Sequence, residues 1–566
     1  MRQITIRVFA SSCLLALALG CTARIGGDAP NEVTPPDSPG PGPIGTSGSA
    51  GTGGAVDPAT DDSGNRVLRR LNRVEYNNTV RDLLGTSLRP ADKLPEDETV
   101  DGFDTVGDGL SLSLQHLEPL EQAATQLIDE LYALPASDAR RNAVLSCELQ
   151  AGSEAACAKQ ILSGFARRAF RRPITEAETA AWLALADKLQ KAGNTYLDGL
   201  KAALRSILLS PHFLYMVEKA SAGDADAATP LNDHELATRL SYFLWSTMPD
   251  AALFAAADAG ELTRDATKLA AETTRLLKDS KALALTDNFV GQWLTLRRLA
   301  LVEPDPKTFP DYDVSLRDAA VRETELFFGE LINQNAPISS LLTANFTFAN
   351  EKLAQQYGTT VSGSGFQRVD LSATPRLGIL GQTSFLMANS HPAFTSPTKR
   401  GAWVLEQLLC APPPPPPADL MIEPLSAPAE GQSVREKLEE HRKNPMCATC
   451  HALMDPIGLG LENFDAIGAY HDTQNGKAVD ATGVLQGVSF SGARELAPLL
   501  GQDPRLVGCF AKQLLTYAVG RSFNDASGRS TADALVQTAA AAGQHGVRDL
   551  IKAVALSDAF RTRRGE

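Results

Sequence analysis

Residues 447–451 read Cys-Ala-Thr-Cys-His, which puts Cys447, Cys450 and His451 at positions i, i+3 and i+4. On a helix those positions share one face, so the stretch commits its surroundings to a helical turn. Two thiols at that separation can form thioethers with the two vinyl groups of a haem, and the adjacent imidazole then lies under the iron. The residues therefore read as haem c attachment, with Cys447 and Cys450 as anchors and His451 as the proximal iron ligand. The same residues admit a plain disulfide or redox dithiol, or half of a zinc site. A zinc site wants a second ligand pair nearby, and the sequence holds no second C-x-x-C.

The first residues point to export. Arg2 and Arg7 precede an apolar run over 8–20 that is too short to span a bilayer. The run ends Ala18-Leu19-Gly20-Cys21, which resembles the lipobox of bacterial lipoprotein signals, although Ala18 and Leu19 depart from the usual residues. Residues 1–21 therefore read as a signal peptide with Cys21 as the lipidation site; an ordinary signal peptide cut nearby is the alternative. Residues 22–65 are rich in Gly, Pro, Ser, Thr and Asp and read as a disordered linker. No later apolar run approaches membrane length, so membrane association is expected through the lipid anchor. The expected location is the envelope of a Gram-negative-type bacterium, at its outer membrane. A net charge of −14 argues against nucleic acid as a partner.

Export changes what the other cysteines mean. Cys147, Cys157, Cys410 and Cys509 remain, an even set in an oxidising compartment. Cys147 and Cys157 are close in sequence and read as one pair, which leaves Cys410 with Cys509. Four buried free thiols are the alternative.

The fold class reads as mainly α, a series of small helical domains in tandem. Their expected limits are 66–135, 145–219, 229–357, 375–472 and 490–562, with a minor hairpin near 473–495. Capping-box patterns open helices at Asn72 with Glu75, Thr175 with Glu178, and Ser433 with Glu436; Asn232 caps another. Leu285, Phe289, Trp293 and Leu296 form an apolar stripe. Arg167, Arg168, Arg171 and Arg172 read as a solvated helix end, with haem propionates or another anion as a less favoured partner. Residues 376–389 read as one helix before the elbow Ser390-His391-Pro392, and prolines 412–417 as a stiff polyproline spacer. Two or three helices are expected over 496–562, one around 506–519 and one over 547–560.

The iron's second ligand is less defined. Met454 lies too close to His451 to reach the opposite haem face. Met387 and His471 are the candidates carried forward, with His391, Met421 and His545 behind them.

Several stretches together resemble the planctomycete-type cytochrome c domain proteins, large exported proteins made of successive domains of unknown function. They are Leu71-Asn72-Arg73-Val74-Glu75-Tyr76, Asp82-Leu83-Leu84-Gly85, the run from Phe165 to Pro173, Leu240-Ser241-Tyr242-Phe243-Leu244-Trp245-Ser246, and Phe289-Val290-Gly291-Gln292-Trp293-Leu294. Thr395-Ser396-Pro397 with Arg400-Gly401 follows, then Asn444-Pro445-Met446 leading into the motif, Met454-Asp455-Pro456-Ile457-Gly458 and Leu461-Glu462-Asn463-Phe464-Asp465. Tyr517-Ala518-Val519-Gly520-Arg521 and Ser557-Asp558-Ala559-Phe560 complete the set. His471 departs from the pattern, which usually has Arg there. The resemblance implies the architecture but no settled activity. The expected function is redox or electron transfer by an exported haem protein, with an unidentified redox partner. A non-redox scaffold with a bridged C-x-x-C, or a peroxidase-like enzyme with an open haem site, are the alternatives. No nucleophile triad, P-loop or Rossmann fingerprint supports another enzyme class.

Overall fold

The computed structural model describes residues 68–150, 152–218, 228–415, 426–429 and 431–563. Cys21, the signal and linker segments, Met421 and the end of the proline run lie outside them. The described chain is mainly α, with five two-stranded antiparallel sheets and no larger sheet among the described residues. None of its helices is long and apolar enough to cross a membrane.

In the first part, β1 (Arg69–Arg70) pairs with β2 (Tyr215–Met216) and so closes the ends of one helical group. Within it, α1 (Arg73–Leu84) is opened by Asn72, whose side chain accepts from the Glu75 amide while Glu75 reaches back, and is closed by Gly85 at φ 70°. Next come α2 (Leu114–Ala133), α3 (Glu154–Phe170), α4 (Glu176–Lys191) and α5 (Tyr196–Leu208). The apolar faces of these helices meet in one core around Tyr76, Leu127, Ile161, Phe165, Leu204 and Phe213. The Cys147–Cys157 disulfide fastens its edge, with an S–S distance of 2.01 Å.

Of the arginine cluster, Arg167, Arg168 and Arg172 are half-buried, whereas Arg171 departs from the solvated helix end expected for it. Arg171 follows α3 at φ 58°, a left-handed turn that points its side chain inward. There it is buried and donates to the carbonyls of His212, Phe213 and Tyr215. Those acceptors lie at a chain bend with no helical partners of their own, so the guanidinium supplies what local sequence does not.

A second, larger core joins the remaining helices. After the two-residue β3 (Thr229–Pro230) come α6 (Asp233–Trp245), α7 (Ala266–Lys278) and α8 (Val314–Gln334), then the β4 (Phe346–Ala349) and β5 (Gln367–Asp370) ribbon. The stripe residues Phe289 and Trp293 stack at 5.5 Å, and Trp293 meets Phe510 at 5.3 Å. The C-terminal Phe510 therefore packs on a stripe far earlier in the chain, and one core runs from Phe103 to Phe560, so the chain segments share cores across their expected limits.

The expected helix over 376–389 is broken. Only α9 (Thr383–Ala388) forms there, behind a single 3-10 turn at Ile379–Gly381. Gly378 adopts φ 50°, and a Cβ there would meet the Leu342 carbonyl oxygen at 2.4 Å, so the backbone turns away from helix at that point. Then follow α10 (Pro397–Trp403), α11 (Val434–His441) and α12 (Pro445–Leu459), the helix that carries the cysteine–histidine motif.

Two hairpins, not one, occupy 473–491. The first is β6 (Thr473–Gln474) with β7 (Lys477–Ala478), and the second β8 (Thr482–Leu485) with β9 (Val488–Ser491). Each turns on two residues of positive φ, Asn475-Gly476 and Gln486-Gly487, the signature of a tight two-residue turn. The chain closes with α13 (Ala493–Gly501), α14 (Arg505–Val519), α15 (Ala526–Ala541), α16 (Val547–Leu556) and β10 (Thr562–Arg563), which pairs with β3. The Cys410–Cys509 disulfide, S–S 2.09 Å, ties the segment before the proline run to α14.

Candidate haem-attachment site

Asn444 starts α12 by accepting from the Met446 amide at 3.1 Å, with Pro445 in the first turn where its missing N–H costs nothing. Cys447, Cys450 and His451 then fall on one side of the first turns. Both thiols are unpaired and half-buried, whereas the four other described cysteines are bridged. Cys450 packs against the edge of the main core, its Sγ 3.7 Å from the Pro414 carbonyl at the start of the proline run. Met446 and Leu453, on the same helix, are 57% and 53% exposed, an apolar margin around the motif.

His451 is held from two sides. Its Nδ1 lies 3.0 and 3.1 Å from the two carboxylate oxygens of Asp455, one turn on. The Asp455 side chain is fully buried; it also accepts from the Thr398 hydroxyl at 3.0 Å and lies 3.9 Å from Arg442. A carboxylate only accepts, so the Nδ1 proton stays on the ring and the Nε2 lone pair is left to serve as a ligand. On the other side, the His441 ring packs edge-on against His451 at 4.8 Å. The carboxylate and the second imidazole together fix the orientation of the ring.

Backbone contact fixes the helix itself. A Cβ on Gly401 of α10 would lie 1.9 Å from the Met454 carbonyl oxygen, and one on Gly458 of α12 would lie 1.8 Å from that of Pro397. Only glycine lets the two helices approach so closely. Arg400, fully buried, extends from α10 and donates to the carbonyls of Leu461, Phe464 and Asp465 at 2.8–2.9 Å. Beside it Glu462 accepts from the Thr395 hydroxyl at 2.8 Å, and burial pushes its carboxyl up to about 7 although Arg400 opposes the shift. Glu462 and Asp455 are thus buried braces of the segment. A groove of about 660 Å³ runs along the far end of α12 between Arg435, Arg442 and Phe490.

The other ligand candidates lie elsewhere. Met387 is fully buried in a small cluster with Leu299, Ala388 and Ile467, which contains no motif residue. His471 sits on an exposed loop with its Nε2 3.0 Å from Asp465. His391 stacks on Phe394 at 4.4 Å. The imidazole brought to the motif is His441, which sequence reasoning passed over. Its one signal was position: it ends α11, three residues before the Asn444 cap folds the next helix back.

These residues fit a covalently attached haem c: two unpaired thiols, one imidazole with its second nitrogen free, and an apolar margin. Among the described residues no three His, Cys, Asp or Glu side chains converge in a group that could hold a metal ion.

Five family profiles, each described as a protein of unknown function, match the chain in succession. They are DUF1587 at residues 69–133, DUF1595 at 157–218, DUF1592 at 231–359, DUF1588 at 376–474 and DUF1585 at 486–560. The motif helix lies in the fourth, whose short name marks it as cytochrome-like. No curated protein and no solved structure matches the chain. With all five profiles in tandem along it, the chain belongs to the planctomycete-type cytochrome c domain family.

Proposed function

We propose that this protein is an exported c-type haem protein that transfers electrons at the cell envelope. Cys447 and Cys450 tether the haem and His451 is the iron's protein ligand. The single observation that carries the reading is the His451–Asp455 pair, which leaves Nε2 free to bind while two unpaired thiols share the same side of the helix. When bound, haem supplies a one-electron iron couple. The chain's own residues position it and tune it. Asp455 holds the Nδ1 proton and makes the imidazole a stronger donor, which favours the ferric state. Thr398 and Arg442 keep the carboxylate in place, and α10 fixes the helix beneath it.

Two disulfides fit an oxidising compartment. Lipidation at Cys21 would hold the folded part at the outer membrane on the 22–65 linker, and the electron partner is then another envelope protein. Cys21→Ser should move the protein from the detergent phase to the aqueous phase; unchanged partition removes the anchor from the account.

A strongly donating histidine also suits peroxide chemistry, so the His451–Asp455 pair supports a second reading as a peroxidase-like enzyme. Redox titration of protein matured with c-type haem machinery, followed in the visible bands, tests the main proposal. A reversible one-electron couple supports it. A haem that is turned over by peroxide but takes no electron reversibly selects the second reading, and a protein without haem defeats both.

A further inference from the structure

A cavity of about 470 Å³ lies far from the motif in the chain and shares no lining residue with α12. It forms where β2, the start of α6, the end of α14 and β10 converge. Its volume is in the range of small-molecule sites. Phe170, Tyr242, Phe243 and Tyr517 contribute aromatic wall.

The charge of the lining is unbalanced, with six arginines against three carboxylates. The carboxylates are already committed. Glu218 accepts from Arg239 at 2.6 Å, Asp233 accepts from the Leu262 and Thr263 amides, and Glu235 closes the capping box of α6. Several arginines are committed too: Arg171 to carbonyls, Arg172 to Glu178 at 2.6 Å, and Arg69 to Glu75 and the Thr105 carbonyl. Arg563 differs. It is only 7% exposed, yet its Nε and Nη1 are buried without a hydrogen-bond partner. The Nδ1 of His234, another lining residue, is likewise buried and unpartnered.

An unpaired guanidinium inside a protein is costly unless something answers it. Each of these nitrogens has an unused N–H to donate to an oxygen of a carboxylate, sulfate or phosphate. We infer that this cavity binds a small organic oxyanion, its charged head on Arg563 and its body against the aromatic wall. Four of the five family segments border the cavity, all except the one that carries the haem motif. The site is therefore independent of haem attachment.

Isothermal titration of the full chain with benzoate, phenyl phosphate and the neutral isostere benzamide tests this. At least one anion should bind saturably with 1:1 stoichiometry, and benzamide at least about tenfold more weakly, the value of a charge-assisted hydrogen bond. Arg563→Gln should weaken the anion by about the same factor and leave benzamide unchanged. Failure of both anions to bind overturns the proposal, as does equal binding of benzamide. Undiminished anion binding by Arg563→Gln overturns it as well. The benzoate and benzamide comparison uses the unaltered protein, so it decides even where the variant does not fold. Preference between benzoate and phenyl phosphate separates a carboxylate ligand from a phosphate ester.

Discussion

His451 and Asp455 stand one helical turn apart, and both oxygens of the buried carboxylate lie within 3.1 Å of the imidazole Nδ1. The pair sets the tautomer, orients the ring and leaves one nitrogen over, which is what the proposed haem would require of its ligand. Removing the charge while keeping the shape should show its effect on the bound haem. In Asp455→Asn the imidazole becomes a weaker donor, and the midpoint potential should rise by on the order of 60 mV, a tenfold change for one electron. Spectroelectrochemical titration of both proteins checks this. An unchanged or lowered potential would show that Asp455 is only a helix brace.

Two buried glutamates predict an unusual dependence of stability on pH. Burial raises the carboxyls of Glu462 and Glu323 to about 7 from an ordinary 4.5. Between those values the folded protein holds protons that the unfolded chain has released. Their contribution is therefore full below about 4.5 and is lost as pH rises through about 7, at most roughly 3 kcal/mol for each. Urea midpoints measured from pH 5 to pH 8 should fall, and Glu462→Gln should flatten the slope. A slope that Glu462→Gln leaves unaltered would mean that this carboxyl titrates normally.

The close approach of α10 and α12 predicts a contrast between glycines. Gly458→Ala places a methyl 1.8 Å from a backbone oxygen and must push the motif helix away, costing on the order of 3 kcal/mol. Gly164→Ala, inside α3 with nothing within 4 Å of the added carbon, should instead stabilise by about 0.5–1 kcal/mol. Denaturant unfolding of the two variants distinguishes them, and equal effects would contradict the packing described.

The Cys410–Cys509 bridge spans 99 residues and closes a loop that includes the whole motif segment. By loop entropy, Cys410→Ala with Cys509→Ala should cost roughly 3–5 kcal/mol. Thermal unfolding with and without reductant checks it. Identical melting of the variant and the unreduced parent would show that the bridge contributes nothing.

What could be read from the residues was local. The capping boxes at Asn72, Thr175 and Ser433 are rules of four residues, and each formed. The disulfide pairs followed from elimination among few cysteines. What could not be read depends on chain return. Arg171 looked like a surface charge because its acceptors at 212–215 lie about 40 residues away. His441 looked idle because its partner is reached only after the Asn444 turn. The helix Ala526–Ala541 was not located because Leu535 is the one large apolar side chain among its buried residues, which leaves no strong apolar stripe. Two hairpins merged into one because their Asn-Gly and Gln-Gly turns lie only eleven positions apart.

Covalent haem is the central claim, and one measurement addresses it most directly. The protein is matured in a host with c-type haem machinery, denatured, extracted with acid acetone and examined as its pyridine haemochrome. The account predicts one haem per chain, retained by the polypeptide through thioethers, and lost from Cys447→Ser with Cys450→Ser. A chain that is fully folded under those conditions yet carries no extraction-resistant haem would contradict it.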